Sequence, residues 1–150
     1  MAKTKQRSIF WIVSTHVLTT GFAMPAVAGG IGFAVLTAMQ PSAVVAFLLL
    51  LAFQALGYIG GVYYSLSYIR KVALIENPNA CIKPSIITFA VLAVIGFGVN
   101  VVGLVGRDGH GINPILGIIA LVAFYVIICV AFARITQRGF SGIERQAKET

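Results

Sequence analysis

The chain has 150 residues, of which 59% are hydrophobic and only 10% are charged. Soluble domains carry about 45–50% apolar and about 25% charged residues, so this chain has too little charge to cover a water-facing surface. The composition excludes an ordinary soluble domain and predicts an integral membrane protein. Because a transmembrane helix needs about 20 apolar residues, the length allows a single membrane domain, residues 1–150, with three or four spans.

The first two predicted spans share one uncharged run, residues 8–69. This run is too long for one helix, and it is interrupted at Gln40 and Pro41. Proline favours the first turn of a helix and disfavours helical backbone in the residue before it. The sequence therefore predicts a first span that ends near Met39 and a second span at about 41–69.

The third and fourth predicted spans each begin at a proline. The third covers about 84–106. The fourth covers about 113–136, where Asn113 can cap free backbone amides and Pro114 suits the first helical position. Gly139 is predicted to end this helix. The predicted fold class is all-α, a polytopic membrane bundle of four transmembrane helices.

Lysine and arginine predict the orientation of these spans. Basic residues beside a span resist translocation and are enriched on the cytoplasmic side, and here every one except Arg107 falls on the same side. Both termini are therefore predicted to be cytoplasmic, in a cell inner membrane, if residues 1–28 are retained. The net charge of +7 indicates this orientation, and we expect no specific nucleic-acid contact. The residues on this side are Lys3, Lys5, Arg7, the basic loop of Arg70, Lys71 and Lys83, and Arg134, Arg138, Arg145 and Lys148.

The first span has two interpretations. Residues 3–7 form a charged region, residues 9–23 a short apolar region, and an A-x-A-type site ends at Ala28, which is the order found in a signal peptide. The alternative is a retained helix that is kinked at Pro25 and continues through residues 29–39. If cleavage follows Ala28, three spans remain instead of four.

The apolar spans exclude several kinds of chemistry. The interiors of the second, third and fourth spans contain no Asp, Glu, Lys or Arg, whereas ion-coupled carriers keep ionisable groups within the bilayer. His16 and His110 are predicted on opposite sides of the membrane, which argues against a shared haem or metal site. Cys81 and Cys129 form no C-x-x-C motif. No nucleophile with a base and no paired carboxylates appear, so the sequence predicts neither an enzyme nor a cofactor.

Small residues recur along the second predicted span. Gly57, Gly61 and Ser65 are spaced every four residues, and Gly60 widens the strip. Small residues at this spacing let two transmembrane helices approach closely. The favoured interpretation is that this strip packs the second span on the third or fourth within one molecule. The alternative is a seam between copies of the chain or between different subunits.

The third span carries small and polar residues in a similar register, at Ala93, Gly96 and Asn100. We interpret Gly96 and Asn100 as further packing residues. Asn100 and Gln54 are also the strongest polar groups at membrane depth in the second and third spans. They can hold helices together by hydrogen bonds, or they can line a path for a neutral solute.

The stretch from Tyr58 to Asn100 resembles small membrane subunits of type IV secretion and conjugation systems, of the Dot/Icm type and the pilin-like type. The fourth span and the tail from Arg134 depart from the two-span pilin-like members, so the resemblance does not imply a filament role. It implies a structural subunit of a cell-envelope machine that moves protein or DNA. The matching features are the candidate signal at 1–28, Tyr58 with Gly60 and Gly61, Arg70 and Lys71, Asn77 and Pro78, and Pro84 before the next apolar span.

Three functional hypotheses follow from the sequence. The first is a structural membrane subunit whose partners are the lipid bilayer and other membrane subunits or copies of itself. The second is a homo-oligomeric channel or carrier for a neutral or lipophilic solute, lined by Gln54, Asn100 and hydroxyl groups. The third is an accessory subunit of a respiratory or photosynthetic complex in which other chains hold the pigment or haem.

Overall fold

A computed structural model of the chain describes residues 5–75, 77–105 and 111–149. Within these residues, four helical segments are long and apolar enough to cross a membrane, which confirms the predicted fold class. The first span comprises α1 (Ile9–Leu18), a π-helical turn (Thr19–Ala23) and α2 (Met24–Met39). The second span is α3 (Ala43–Val72), and the fourth is α5 (Pro114–Glu149). The third span begins with a 3₁₀ turn (Pro78–Cys81) and continues as α4 (Ile82–Val105).

The first span bends but does not break at its proline. Pro25 has no amide hydrogen, and a proline ring crowds the carbonyl four residues earlier in a helix. The preceding π-helical turn is wider, and in it the amide of Met24 donates to the carbonyl of Thr19. This local widening lets the helix continue past the proline. The candidate cleavage site after Ala28 therefore lies inside a continuous helix.

The predicted boundary between the first and second spans agrees with the structure. The amide of Gln40 donates to the carbonyl of Leu36, and the backbone of Gln40 has a positive φ of 45°. This left-handed residue ends α2, and α3 begins just after Pro41 and Ser42. The start of the fourth span is also as predicted, because Asn113 Oδ1 accepts from the amide of Ile115 at 2.9 Å.

Two predicted helix boundaries are wrong. The third helical segment begins at Pro78, not at residue 84, because Asn77 Oδ1 accepts from the amide of Ala80 and starts a 3₁₀ turn. Pro84 then lies in the first turn of α4, where its missing amide hydrogen removes no helical bond. Gly139 does not end the fourth helix, which continues to Glu149.

The bundle has two unlike halves. The packed half comprises residues 9–23, 57–75, 77–93 and 125–145, and the open half comprises residues 24–56, 94–105 and 111–124. In the open half α2 packs on α3 and α4 packs on α5, but α2 has few contacts with α4 or α5. Among the described residues of the open half, only Gly32, Gly117 and Leu121 are buried. Most of the core therefore lies in the packed half.

One face of α5 supplies much of this core. Its buried residues recur every three or four positions, which is the spacing of a single helix face. The face passes through Gly139, whose missing side chain lets α5 lie against the Leu66 side chain of α3. That contact explains why a glycine occurs inside this helix. The buried residues are Gly117, Leu121, Tyr125, Ile128, Phe132, Thr136 and Phe140.

The ends of the packed half bring the basic segments together, and we call this the basic end. The two-residue strand Lys5–Gln6 pairs in parallel with Ala73–Leu74, which ties the start of the first span to the end of the second. Asn79 in the following turn donates a hydrogen bond to Glu144 of α5. Which side of the membrane the basic end faces stays a prediction. Arg107 and His110 lie outside the described residues.

Candidate functional site

A buried histidine joins three spans of the packed half. The side chain of His16 is completely buried. Its Nδ1 lies 2.7 Å from Ser65 Oγ, and its Nε2 lies 2.9 Å from Thr136 Oγ1. Ser65 donates its own hydrogen to the carbonyl of Val62, so we assign Nδ1–H as the donor to Ser65 and Thr136 as the donor to Nε2. Both ring nitrogens of a neutral histidine are satisfied.

Aromatic rings enclose this histidine. The ring of Phe132 stacks on it with 5.1 Å between centroids, and the ring of Phe140 meets it edge-on at 5.5 Å. Phe89 stacks in turn on Phe132 at 3.9 Å. Within the described residues, no three His, Cys, Asp or Glu side chains gather in a metal-binding arrangement. Through its hydrogen bonds and ring contacts, His16 connects the first span to the second and fourth spans.

The glycine strip of the second span contacts the first span. A Cβ on Gly57 would lie 2.7 Å from Pro25 Cα, and a Cβ on Gly61 would lie 2.8 Å from Thr20 Cα. Ser65 continues the strip to His16, and Gly60 lies beside Met24 with more room. The interpretation that this strip packs on the third or fourth span is thus wrong. The reason is the π-helical turn, whose backbone is the surface that α3 approaches.

A cleft at the boundary between the open half and the packed half contains polar groups that the sequence placed at membrane depth. It has a volume of about 380 Å³, and Gln54, Tyr58, Asn100 and Tyr125 line it together with apolar residues. Asn100 Nδ2 donates to the Tyr125 hydroxyl at 2.8 Å and to the carbonyl of Gly96 at 2.9 Å. The structure therefore brings Gln54 and Asn100 to one cavity, although they lie on different spans.

Gly96 and the unpaired side-chain oxygen of Gln54 shape this cleft. A Cβ on Gly96 would lie 2.9 Å from the Tyr125 hydroxyl, so Gly96 makes room for the hydroxyl. Gln54 Oε1 is buried and has no hydrogen-bond partner among the described residues. A buried acceptor without a partner is costly, and the cleft is wide enough for a ligand atom or water to supply one.

The interior of the packed half, in contrast, leaves little space around Thr20. The cavity lined by Thr20, Tyr58, Phe89 and Phe132 measures only about 10 Å³, which is close to the minimum for one water molecule. Two hydroxyls buried in this half, those of Thr20 and Ser85, have no partner among the described residues. This cavity is too small for a solute path through the packed half.

The remaining predicted site residues lie at the basic end or beside it. Arg70 lines a groove between α3 and α5, while Lys71 and Lys83 are exposed elsewhere on this end. Cys81 is buried, Cys129 is half-buried, and neither is in a disulfide. Sequence reasoning missed the partners of His16. The signal for them was the four-residue spacing of Phe132, Thr136 and Phe140.

Comparisons with protein-family models, curated protein sequences and solved structures found no match to this chain.

Proposed function

We propose that this chain is a non-catalytic, multi-pass membrane subunit that works by associating with other membrane-spanning chains in a cell-envelope assembly. The observation that supports this most is the distribution of glycine. Most glycines of the packed half contact another helix, whereas four glycines of the open half lie on faces that no described residue covers.

These four glycines lie on α2 and α4. A Cβ on Gly29, Gly30, Gly98 or Gly103 would meet no atom of the described residues within 4 Å. A glycine inside a helix costs about 1 kcal/mol relative to alanine, and contact with lipid tails does not offset this. Close approach of a partner helix does, because small residues let helix backbones pack tightly within a membrane. These faces therefore suit helices of another chain.

We further propose that this assembly is a cell-envelope machine that moves protein or DNA. The likeness of residues 58–100 to small subunits of type IV secretion and conjugation systems makes such a machine the first assembly to test. The clustering of described basic residues at one end of the bundle supports an inner-membrane orientation with both termini in the cytoplasm. The chain would then present the open half toward the opposite face of the membrane.

Site-specific photo-crosslinking in native membranes tests this proposal. Val102 on α4 and Ile127 on α5 are both highly exposed, at 72% and 65%, but only Val102 neighbours the uncovered glycines. We expect a photoreactive residue at Val102 to give a protein adduct of defined mass, and the same residue at Ile127 to give lipid adducts. Lipid adducts at both positions, together with a lone monomer in mild detergent, would contradict the proposal.

The cleft favours one second candidate, a homo-oligomeric channel or carrier for a neutral, lipophilic solute. The unpaired Gln54 Oε1 and the Asn100–Tyr125 pair supply polar contacts in an otherwise apolar cavity, as in typical small-molecule sites. This candidate predicts solute flux in liposomes that contain only the purified protein. Gln54→Leu should remove the flux, while Thr37→Val, which changes a hydroxyl bonded only within α2, should leave it intact. No flux from the unaltered protein would exclude this candidate.

A further inference from the structure

A groove at the basic end combines an apolar floor with arginines. It lies between α3 and α5 and has a volume of about 440 Å³. Each helix contributes residues three, four or seven positions apart, so each presents a single face to the groove. Its lining is Tyr63, Leu66, Ser67 and Arg70 from α3, and Ile135, Arg138, Gly139, Gly142 and Ile143 from α5.

The two glycines of α5 have different effects on this groove. Gly139 lies against the Leu66 side chain, which holds the two helices together at that level. Gly142 has nothing within 4 Å of the position that a Cβ would take. The missing side chain of Gly142 therefore leaves the space between the helices open.

Arginines line both sides of the groove. Arg70 comes from α3 and Arg138 from α5, and both are exposed. A neighbouring cavity of about 550 Å³ shares Arg138 and Gly142 and adds Arg134 and Arg145. None of these arginines has an ion-pair partner among the described residues, where the Glu144 carboxylate accepts from Asn79. The groove thus presents arginines that form no direct ion pair with a described residue.

The depth of the groove matches a membrane interface. A helix crosses the hydrocarbon core in about 20 residues, so α5, which begins at Pro114, reaches the headgroup region near Arg134. With 36 residues α5 is about 54 Å long, and its C-terminal part extends beyond that region. Counted in the same way from Ala43, α3 reaches the headgroup region near Tyr63. The arginine walls therefore lie at the level of the lipid phosphates, and Tyr63 and Ile135 lie at the boundary with the acyl chains.

We infer that this groove binds the headgroup of an anionic phospholipid. Guanidinium groups hold phosphate oxygens through paired hydrogen bonds, and basic pockets between transmembrane helices are known to suit anionic headgroups. Arg70 and Arg138 contact the phosphate from opposite sides, and an acyl chain lies along the apolar floor. The apolar floor distinguishes a lipid from free phosphate as the ligand.

Native mass spectrometry of the full-length protein in detergent tests this inference. Phosphatidylglycerol and phosphatidylcholine with the same acyl chains are added at equal concentration. We expect preferential retention of phosphatidylglycerol, and the double variant Arg70→Gln with Arg138→Gln should reduce it about tenfold. The matched control, Lys71→Gln with Lys83→Gln, removes the same charge outside the groove and should retain the lipid.

A second variant keeps the test decisive if the arginine variant folds poorly. Gly142→Leu fills the groove without changing the charge, and the open space around Gly142 lets the bundle keep its fold. We expect the same loss of phosphatidylglycerol. Equal loss in the lysine control, retention in Gly142→Leu, or displacement of the lipid by millimolar inorganic phosphate would each overturn the inference.

Discussion

The packed half and the open half are built from the same four spans but differ in how closely the helices pack and in whether their polar groups find partners. In the packed half, His16 finds partners for both ring nitrogens, aromatic rings stack around it, and glycines let backbones touch. In the open half, helix pairs separate and Gln54 Oε1 stays without a described partner. The contrast teaches that the stability of this chain is concentrated in the packed half, which leaves helix faces of the open half free for partner helices.

The strongest test of this comparison is removal of the first span. Residues 9–28 cover Gly57, Gly61 and Ser65, and they supply His16 to the core. We expect these residues to be retained in the mature protein and their deletion to abolish the folded bundle. Intact-mass measurement of protein from native membranes checks the first point, and protease resistance of the deletion variant checks the second. A mature chain that begins at Gly29 would refute this expectation.

A glycine substitution in each half should give the next largest difference. Gly61→Val forces a side chain against the Thr20 backbone, which cannot move aside as a flexible side chain can, and should destabilise the bundle by about 3 kcal/mol. Gly30→Val meets open space and should change stability by less than about 0.5 kcal/mol. Reversible unfolding in mixed micelles measures both. Equal effects would remove the distinction between the halves.

Truncation of the central histidine should have a somewhat smaller effect. His16→Ala leaves a cavity among Phe132 and Phe140 and removes two interhelical hydrogen bonds, so we expect a loss of about 2 kcal/mol. A double-mutant cycle with Thr136→Val isolates the hydrogen-bond contribution, for which about 0.6 kcal/mol is typical within membranes. A coupling energy of zero would show that the bond to Thr136 does not stabilise the position of the ring.

The smallest effect is expected in the cleft. Tyr125→Phe removes one acceptor from Asn100, which keeps its bond to the carbonyl of Gly96. The expected cost is about 0.6 kcal/mol in the same unfolding measurement. A loss as large as that of His16→Ala would show that the Tyr125 hydroxyl stabilises the bundle as much as the central histidine does, and would contradict this expectation.

Sequence reasoning determined the features that depend on local chemistry. Hydropathy and proline located the four spans, because the length and polarity of a segment decide whether it can cross a membrane. Asn113 marked a helix start because its cap needs only the next three residues. The position of lysine and arginine along the chain also anticipated the basic end, since neighbouring spans run in opposite directions.

Tertiary structure alone decided which surfaces meet. The strip of Gly57, Gly61 and Ser65 could be seen in the sequence, but its partner depended on the π-helical turn at Thr19–Ala23, which sets the direction and rotation of the first span. The same rotation brings His16 to Ser65 and Thr136. Periodicity shows which residues share one helix face, whereas the meeting of two faces depends on bends and crossing angles that arise only when all the helices pack.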